Sequence, residues 1–220
     1  MAEQKKQVII YTDGACDPNP GRGGYGAVLL YGQVRKEVSG GLRQTTNNRM
    51  EIYAAIKGLE MLKESCKVTL YSDSQYVVNA MTQGWVARWQ QRSWRRAGNE
   101  PALNADLWKQ LTALCEKHEV SFVWIRGHNG NVENERCDRL STAFISRRDL
   151  AVDEGYENAS PPEPRISAEQ EGQPCPKCAT PVVLFRTKKR RLMLSCPNCK
   201  ALYEYKSALP DEANTQGTFF

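Results

Sequence analysis

The sequence predicts an α/β protein: a mixed five-stranded sheet flanked by helices, followed by a small C-terminal β module held by metal. Two observations predict this. Three short β-rich runs come first and then give way to alternating helical and β patterns, the order of a mixed sheet with helices on its faces. Beyond an acidic, proline-bearing stretch, four cysteines form two Cys-x-x-Cys pairs.

Taken in order, Val8 to Thr12 reads as a strand ending at Asp13–Gly14, and CDPNPGRGGYG reads as turn chemistry because Pro, Asn and Gly are interleaved. Tyr25 to Tyr31 and Val34 to Gly40 are two further strands joined at Gly32. From Asn48 to Glu64 the pattern becomes helical, with Ile52, Ala55, Ile56, Leu59 and Leu62 on one face. Val68 to Ser72 is a strand, and SQYVVNAMTQ a short helix. After a Trp- and Arg-rich segment, a helix is expected from about Asn104 to Lys117, a strand from Val120 to Arg126, and a last helix from about Asn134 to Arg148. The expected domains are 1–150, a flexible acidic linker over 151–173, a four-cysteine zinc-ribbon module over 174–207 and a tail over 208–220.

Composition narrows the function. Hydrophobic residues make up 40% and charged residues 25% of 220 residues, a soluble globular profile with no apolar run long enough to span a bilayer. The expectation is a cytoplasmic protein, monomeric and without a membrane partner. Residues 1–150 carry 21 basic and 16 acidic side chains, 151–173 one and six, and 174–220 eight and three. Two positive lobes around an acidic tether fit polyanion binding.

Four acids occupy places a sheet-based nuclease needs. Asp13 and Asp73 end the first and fourth strands, while Glu51 and Asp138 are expected in the first turns of the long helix and the last helix. Attack of water on a phosphodiester requires an activated nucleophile and a stabilised leaving oxygen, which two divalent ions held by carboxylates supply. Each acid alone reads equally as a turn residue, a helix-dipole partner or an N-cap.

The surrounding text is longer than any one acid. The blocks YTDGACDPNPGRGGYGA, TTNNRMEIYAAIKGLE, YSDSQYV, WIRGHNG and NERCDRL, in that order, resemble type 1 ribonuclease H over most of residues 7–148. The resemblance implies the ribonuclease H fold and hydrolysis of the RNA strand of RNA–DNA hybrids, leaving 5′-phosphate and 3′-hydroxyl ends. It implies two Mg²⁺ ions (Mn²⁺ as a substitute) on Asp13, Glu51, Asp73 and Asp138, with His128 as a catalytic histidine in a loop. Cys16, Asn19, Thr46, Asn47, Asn48 and Gln75 match family positions that contact the hybrid, where short amides can donate to and accept from a 2′-hydroxyl. Cys16 reads equally as a small buried cysteine. WVARWQQRSWRRAG resembles the family's basic protrusion, implicating Trp85, Arg88, Trp89, Trp94 and Arg95, with Arg92 and Arg96 beside them. Trp85 and Trp89, four apart, equally suit helix packing. Gln90 and Gln91 stand where lysines are common, and NGNVENE lacks the usual His-Pro. A hybrid-binding module without cleavage and a DNA resolvase are the competing readings; the amide-rich TTNN disfavours the second.

Cys175, Cys178, Cys196 and Cys199 have the spacing of a structural Zn²⁺ site. Between the pairs, PVVLFRTKKRRLMLS reads as a hairpin with Lys188, Lys189, Arg190 and Arg191 at its turn. The segment resembles the zinc ribbons appended to bacterial DNA topoisomerases and is expected to assist nucleic-acid binding, with protein docking as the alternative.

Overall fold

The computed structural model of the chain describes residues 5–158, 171–175, 180–187, 192–200 and 202–204. Cys178, the basic turn Lys188–Arg191 and the tail lie outside them. The chain divides into two compact units, 1–159 and 160–220.

In the first unit, β1 (Lys6–Cys16), β2 (Gly21–Tyr31) and β3 (Val34–Thr45) form an antiparallel meander. Then come α1 (Asn47–Glu60), β4 (Cys66–Ser72), α2 (Gln75–Thr82), α3 (Trp85–Gln91), α4 (Ala105–Lys117), β5 (Glu119–Trp124), α5 (Val132–Thr142) and α6 (Glu154–Glu157). The sheet order is β3-β2-β1-β4-β5, with β4 parallel to both β1 and β5. Tyr11 stacks on its register partner Tyr71 with ring centroids 4.9 Å apart. Ile10, Leu70, Ile52, Ile56, Leu59, Trp108 and Leu111 are fully buried and fasten α1 and α4 to the sheet, each removing apolar surface worth roughly 1.5–3 kcal/mol from water.

The glycine-rich stretch read as turn chemistry is mostly strand: β1 continues to Cys16 and β2 begins at Gly21. These glycines serve close packing. A Cβ on Gly14 would lie 2.3 Å from the Glu51 amide nitrogen, and one on Gly24 2.0 Å from the Ser141 carbonyl. The backbones of α1 and α5 therefore rest directly on the sheet. Both helices start earlier than expected, so Glu51 and Asp138 lie in second turns rather than first.

Residues 151–158, expected to belong to a flexible linker, instead pack on the first unit. The Ala151 amide donates to Gly41 O (3.2 Å), Ala151 O accepts from the Arg43 amide (2.9 Å), and Asp153 is buried against Arg49. Acidic composition suggested solvation, but these acids face cations about a hundred residues away in sequence.

The second unit holds an antiparallel sheet of β6 (Val183–Arg186), β7 (Leu192–Ser195) and β8 (Leu202–Glu204). Its described buried side chains are Cys175, Val182, Leu194 and Cys196.

Substituting Gly24→Ala should destabilise the first unit by roughly 1–3 kcal/mol, the usual cost of overpacking, read as a lower urea midpoint. An unchanged midpoint would mean that α5 does not press on β2.

Candidate active site

The β1–β4 parallel pairing runs out at Thr12↔Ser72, and the next residue on each chain is an aspartate. Asp13 remains within β1, paired only with Gly26 of β2, while Asp73 leaves β4 just ahead of Ser74, the N-cap of α2. Glu51 comes down from α1 onto the same corner. One carboxylate oxygen from each of Asp13, Glu51 and Asp73 lies within 4.8 Å of the others. Asp13 and Glu51 are buried and Asp73 is half-buried.

Such a cluster works against its own ionisation. Burial first, then the charges of Asp73 and Asp138, raise the Asp13 carboxyl to about 6, although the Ser141 hydroxyl donates to its Oδ2 at 2.8 Å. Burial and the charges of Asp13 and Asp73 push Glu51 well above the carboxylate range, against hydrogen bonds from the Gly14 backbone and the Asn47 side chain. Glu51 Oε2 is buried with no hydrogen-bond partner. An orphaned buried oxygen among crowded carboxylates is an all-oxygen donor set suited to hard divalent cations.

Asp138 is half-buried on α5 and close enough to raise Asp13, but it is not among the three that converge. His128 is exposed in the β5–α5 connection with a positive φ of 51°. The other histidine, His118, is buried, and its Nδ1 accepts from the Cys66 amide at 3.3 Å, a structural use.

Around the cluster lie groups that sequence reading missed. Asn134, 2% exposed, donates from Nδ2 to Asp73 Oδ2 at 3.2 Å, and the Trp124 indole donates to the Asp73 carbonyl at 3.1 Å. A Cβ on Gly127 would fall 2.5 Å from Asp73 Oδ2. Asn134, four residues before Asp138, and Ser141, three after it, share its face of α5, a spacing the sequence could have exposed.

The expected substrate contacts are dispersed but ordered. Thr46 caps α1, its hydroxyl accepting from the Arg49 amide; Asn19 Oδ1 accepts from the Asn47 amide at 3.1 Å; Asn48 is exposed beside them. Gln75 opens α2, exposed, and half-buried Cys16 places its thiol 3.3 Å from Pro18 O and 3.5 Å from Thr45 O. Trp85, Trp89 and Trp94 are half-buried and pack against the core, with Trp89 6.2 Å from Trp108. Arg88 and Arg95 are exposed and bond to nearby carbonyls, Gln83 O and Asn99 O, while half-buried Arg96 pairs with Glu100.

The family model described as RNase H matches residues 5–146. The chain belongs to the ribonuclease H family. It is 64% identical over 154 residues to a ribonuclease H of Syntrophus aciditrophicus, covering 70% of this chain and 89% of that one. It is 52% identical over 157 residues to a ribonuclease HI of Synechocystis, covering 71% and 98%. Among solved structures, a type 1 RNase H with the type 2 active-site motif superposes with a TM-score of 0.59 at 29% identity, covering 65% and 74%. The protein is thus a nuclease, a hydrolase whose family works with divalent metal ions, and its acidic cluster sits where the matched region ends its central strands. The cysteine-bearing unit lies beyond the matched residues. Among the described residues, no helix is long and apolar enough to cross a membrane.

Because the folded pKa of Asp13 lies above its ordinary 3.8, ionising it opposes folding. The penalty is absent below about pH 4, grows through about 6 and is full above it. Asp13→Asn should therefore stabilise the metal-free protein at pH 7.5 by on the order of 1–3 kcal/mol, with the gain shrinking towards pH 4. A destabilised variant at pH 7.5 would contradict the burial of charge at this corner.

Proposed function

We propose that the enzyme cleaves the RNA strand of RNA–DNA hybrids with two divalent ions, leaving 5′-phosphate and 3′-hydroxyl ends. The observation that carries this is the convergence of Asp13, Glu51 and Asp73, with one buried carboxylate oxygen left unpartnered. Two ions held there would acidify the attacking water and stabilise the departing 3′-oxygen. Asp13, Glu51 and Asp73 would hold them, with Asp138 completing the set from α5. Ser141 and Asn134 keep the aspartates aimed, each by occupying one Oδ2. His128, exposed beyond Gly127 with a positive φ, would take up or deliver a proton at the solvent side.

Recognition would divide between the strands. Asn19, Asn47, Asn48 and Gln75, with Thr46 and Cys16, would read 2′-hydroxyls and backbone. Arg88 and Arg95 stand exposed on a segment that Trp85, Trp89 and Trp94 anchor to the core, a rigid mount for phosphate contacts. The place of action is the cytoplasm.

For the second unit, the reading is a structural Zn²⁺ site formed by Cys175, Cys178, Cys196 and Cys199. Three of these thiols converge within 4.8 Å, Cys175 Sγ lies 3.6 Å from Cys199 Sγ and 3.1 Å from Tyr203 Oη, and the Cys199 amide points at Cys196 Sγ at 3.5 Å. So small an apolar cluster is of the size that normally needs a metal staple. The resemblance of the sequence to topoisomerase zinc ribbons, with the basic run Lys188 to Arg191 between the cysteine pairs, supports a role in holding nucleic acid.

Two measurements check these readings. A labelled RNA strand should be cut in a DNA hybrid with Mg²⁺, but neither as single strand nor as RNA duplex, and Asp73→Asn should lower the rate at least a thousandfold, an effect of order 4 kcal/mol. Cutting of free RNA, or full activity in Asp73→Asn, would overturn the assignment. Elemental analysis should find one zinc per chain, lost in Cys196→Ser with hybrid cleavage retained; no zinc in the native protein would remove the metal site.

A further inference from the structure

Between the last residue of β3 and the first turn of α1 runs Thr45–Thr46–Asn47–Asn48–Arg49, and both ends of this pentad bind one carboxylate oxygen. The Thr45 hydroxyl donates to Asp153 Oδ2 at 2.6 Å, and Arg49 Nε donates to the same oxygen at 2.7 Å. Arg49 Nη2 also reaches Asp153 Oδ1 at 2.7 Å, and the guanidinium forks onto Asp106 at 3.0 and 2.7 Å. Thr45, Arg49 and Asp153 are all at least nine-tenths buried. The three residues between the stapled ends, Thr46, Asn47 and Asn48, are the more exposed ones, and they are the amide-rich stretch assigned above to hybrid contact.

Asp153 is itself held in place. Ala151 exchanges two backbone hydrogen bonds with the end of β3, at Gly41 and Arg43, and Glu157 pairs with Arg43 at 2.8 Å. Gly155 brings the backbone of α6 against the ion pair so closely that a Cβ there would lie 1.9 Å from Asp106 Oδ2 and 2.6 Å from Arg49 Nη2. Residues 151–157 lie beyond the matched region, yet they bear on the turn that opens α1 two residues ahead of Glu51.

We infer that Asp153 is a positioning residue for hybrid binding, fixing Thr46, Asn47 and Asn48 by closing the pentad that contains them. This rests on the reading of Asn47 and Asn48 as hybrid contacts. Buried, charge-assisted hydrogen bonds at both ends remove the freedom of the exposed residues between them, so the amides meet the substrate already ordered. Loss of the staple then falls on binding. Asp13 and Asp73 are held through other contacts, Ser141 and Asn134. Glu51 alone meets the pentad, through the Asn47 side chain, and it keeps its bond to the Gly14 backbone, so the effect on kcat is the smaller one.

The test compares KM and kcat on one RNA–DNA hybrid for full-length variants, each well below its own melting temperature. Asp153→Ala should raise KM about tenfold with kcat within about twofold, and Thr45→Val, which leaves the Arg49–Asp153 ion pair intact, should raise KM in the same direction. Arg43→Ala, which removes the exposed pair with Glu157 but leaves Asp153 tied through the Ala151 backbone bonds and the Thr45 and Arg49 contacts, should lower the melting temperature and leave KM unchanged. If Asp153→Ala does not fold, Thr45→Val and the isosteric Asp153→Asn carry the comparison. Unchanged KM in the folded variants, or a KM rise in Arg43→Ala matching theirs, would overturn the inference. Asn48→Ala separates the two levels: a raised KM there with unchanged KM in Thr45→Val and the Asp153 variants defeats the positioning alone, whereas unchanged KM in Asn48→Ala defeats the underlying assignment of the amides.

Discussion

Carboxylates repel one another, and a fold that brings three of them within 4.8 Å in a buried corner must hold them there by other means. In this ribonuclease H the means is the β1–β4 pair. Its parallel register ends at Thr12 and Ser72, so Asp13 and Asp73 emerge side by side with no freedom to separate. Glycines on β1 and β2 then let two helix backbones descend onto the sheet, one carrying Glu51 and the other carrying Asp138 and the hydroxyl that binds Asp13. The apolar core of Ile10, Ile52, Ile56, Leu70 and Trp108 supplies the stability that the charged corner subtracts. Glu51, with one buried oxygen lacking a hydrogen-bond partner, fits an arrangement that a cation would complete.

Much of this was legible in the sequence, because strands and long amphipathic helices write a period of their own. All five strands of the main sheet and the helices α1, α4 and α5 were expected near their observed places. Misreadings fall where a residue type serves a purpose other than its usual one. Gly24 and Gly26 look like turn residues, and the structure uses them inside β2 as the floor for α5, while Gly23 beside them makes room for Met50 of α1. Asp153, Glu154 and Glu157 look like solvated linker, but Arg43 and Arg49 meet two of them from far away in sequence. No local pattern announces such a pairing. Asn134 and Ser141 share the Asp138 face of α5 by helical spacing, but each matters through a partner on a different element, which spacing alone does not name.

The second unit is organised on a different principle. Its described interior holds Cys175, Val182, Leu194 and Cys196, with Leu184 and Tyr203 packed against them, a small apolar set beside three strands. Cys175, Cys196 and Cys199 converge there, with the Cys199 amide directed at Cys196 Sγ and the Tyr203 hydroxyl 3.1 Å from Cys175 Sγ, and a metal on these thiols would add to that core. The first unit thus places a metal-binding cluster at a cost to its stability, whereas the second would draw its stability from one.

If the buried carboxylate corner is a divalent-cation site, the metal-free protein takes up Mg²⁺ there, and calorimetric titration of Mg²⁺ reads that uptake. Mg²⁺ selects oxygen ligands and ignores the thiols of the second unit. The wild-type protein should take up Mg²⁺ without substrate and gain thermal stability in step with occupancy, while an Asp13→Asn/Asp73→Asn double variant, still folded, should do neither. Equal uptake and equal stabilisation in the two proteins would place the cation elsewhere and contradict the account.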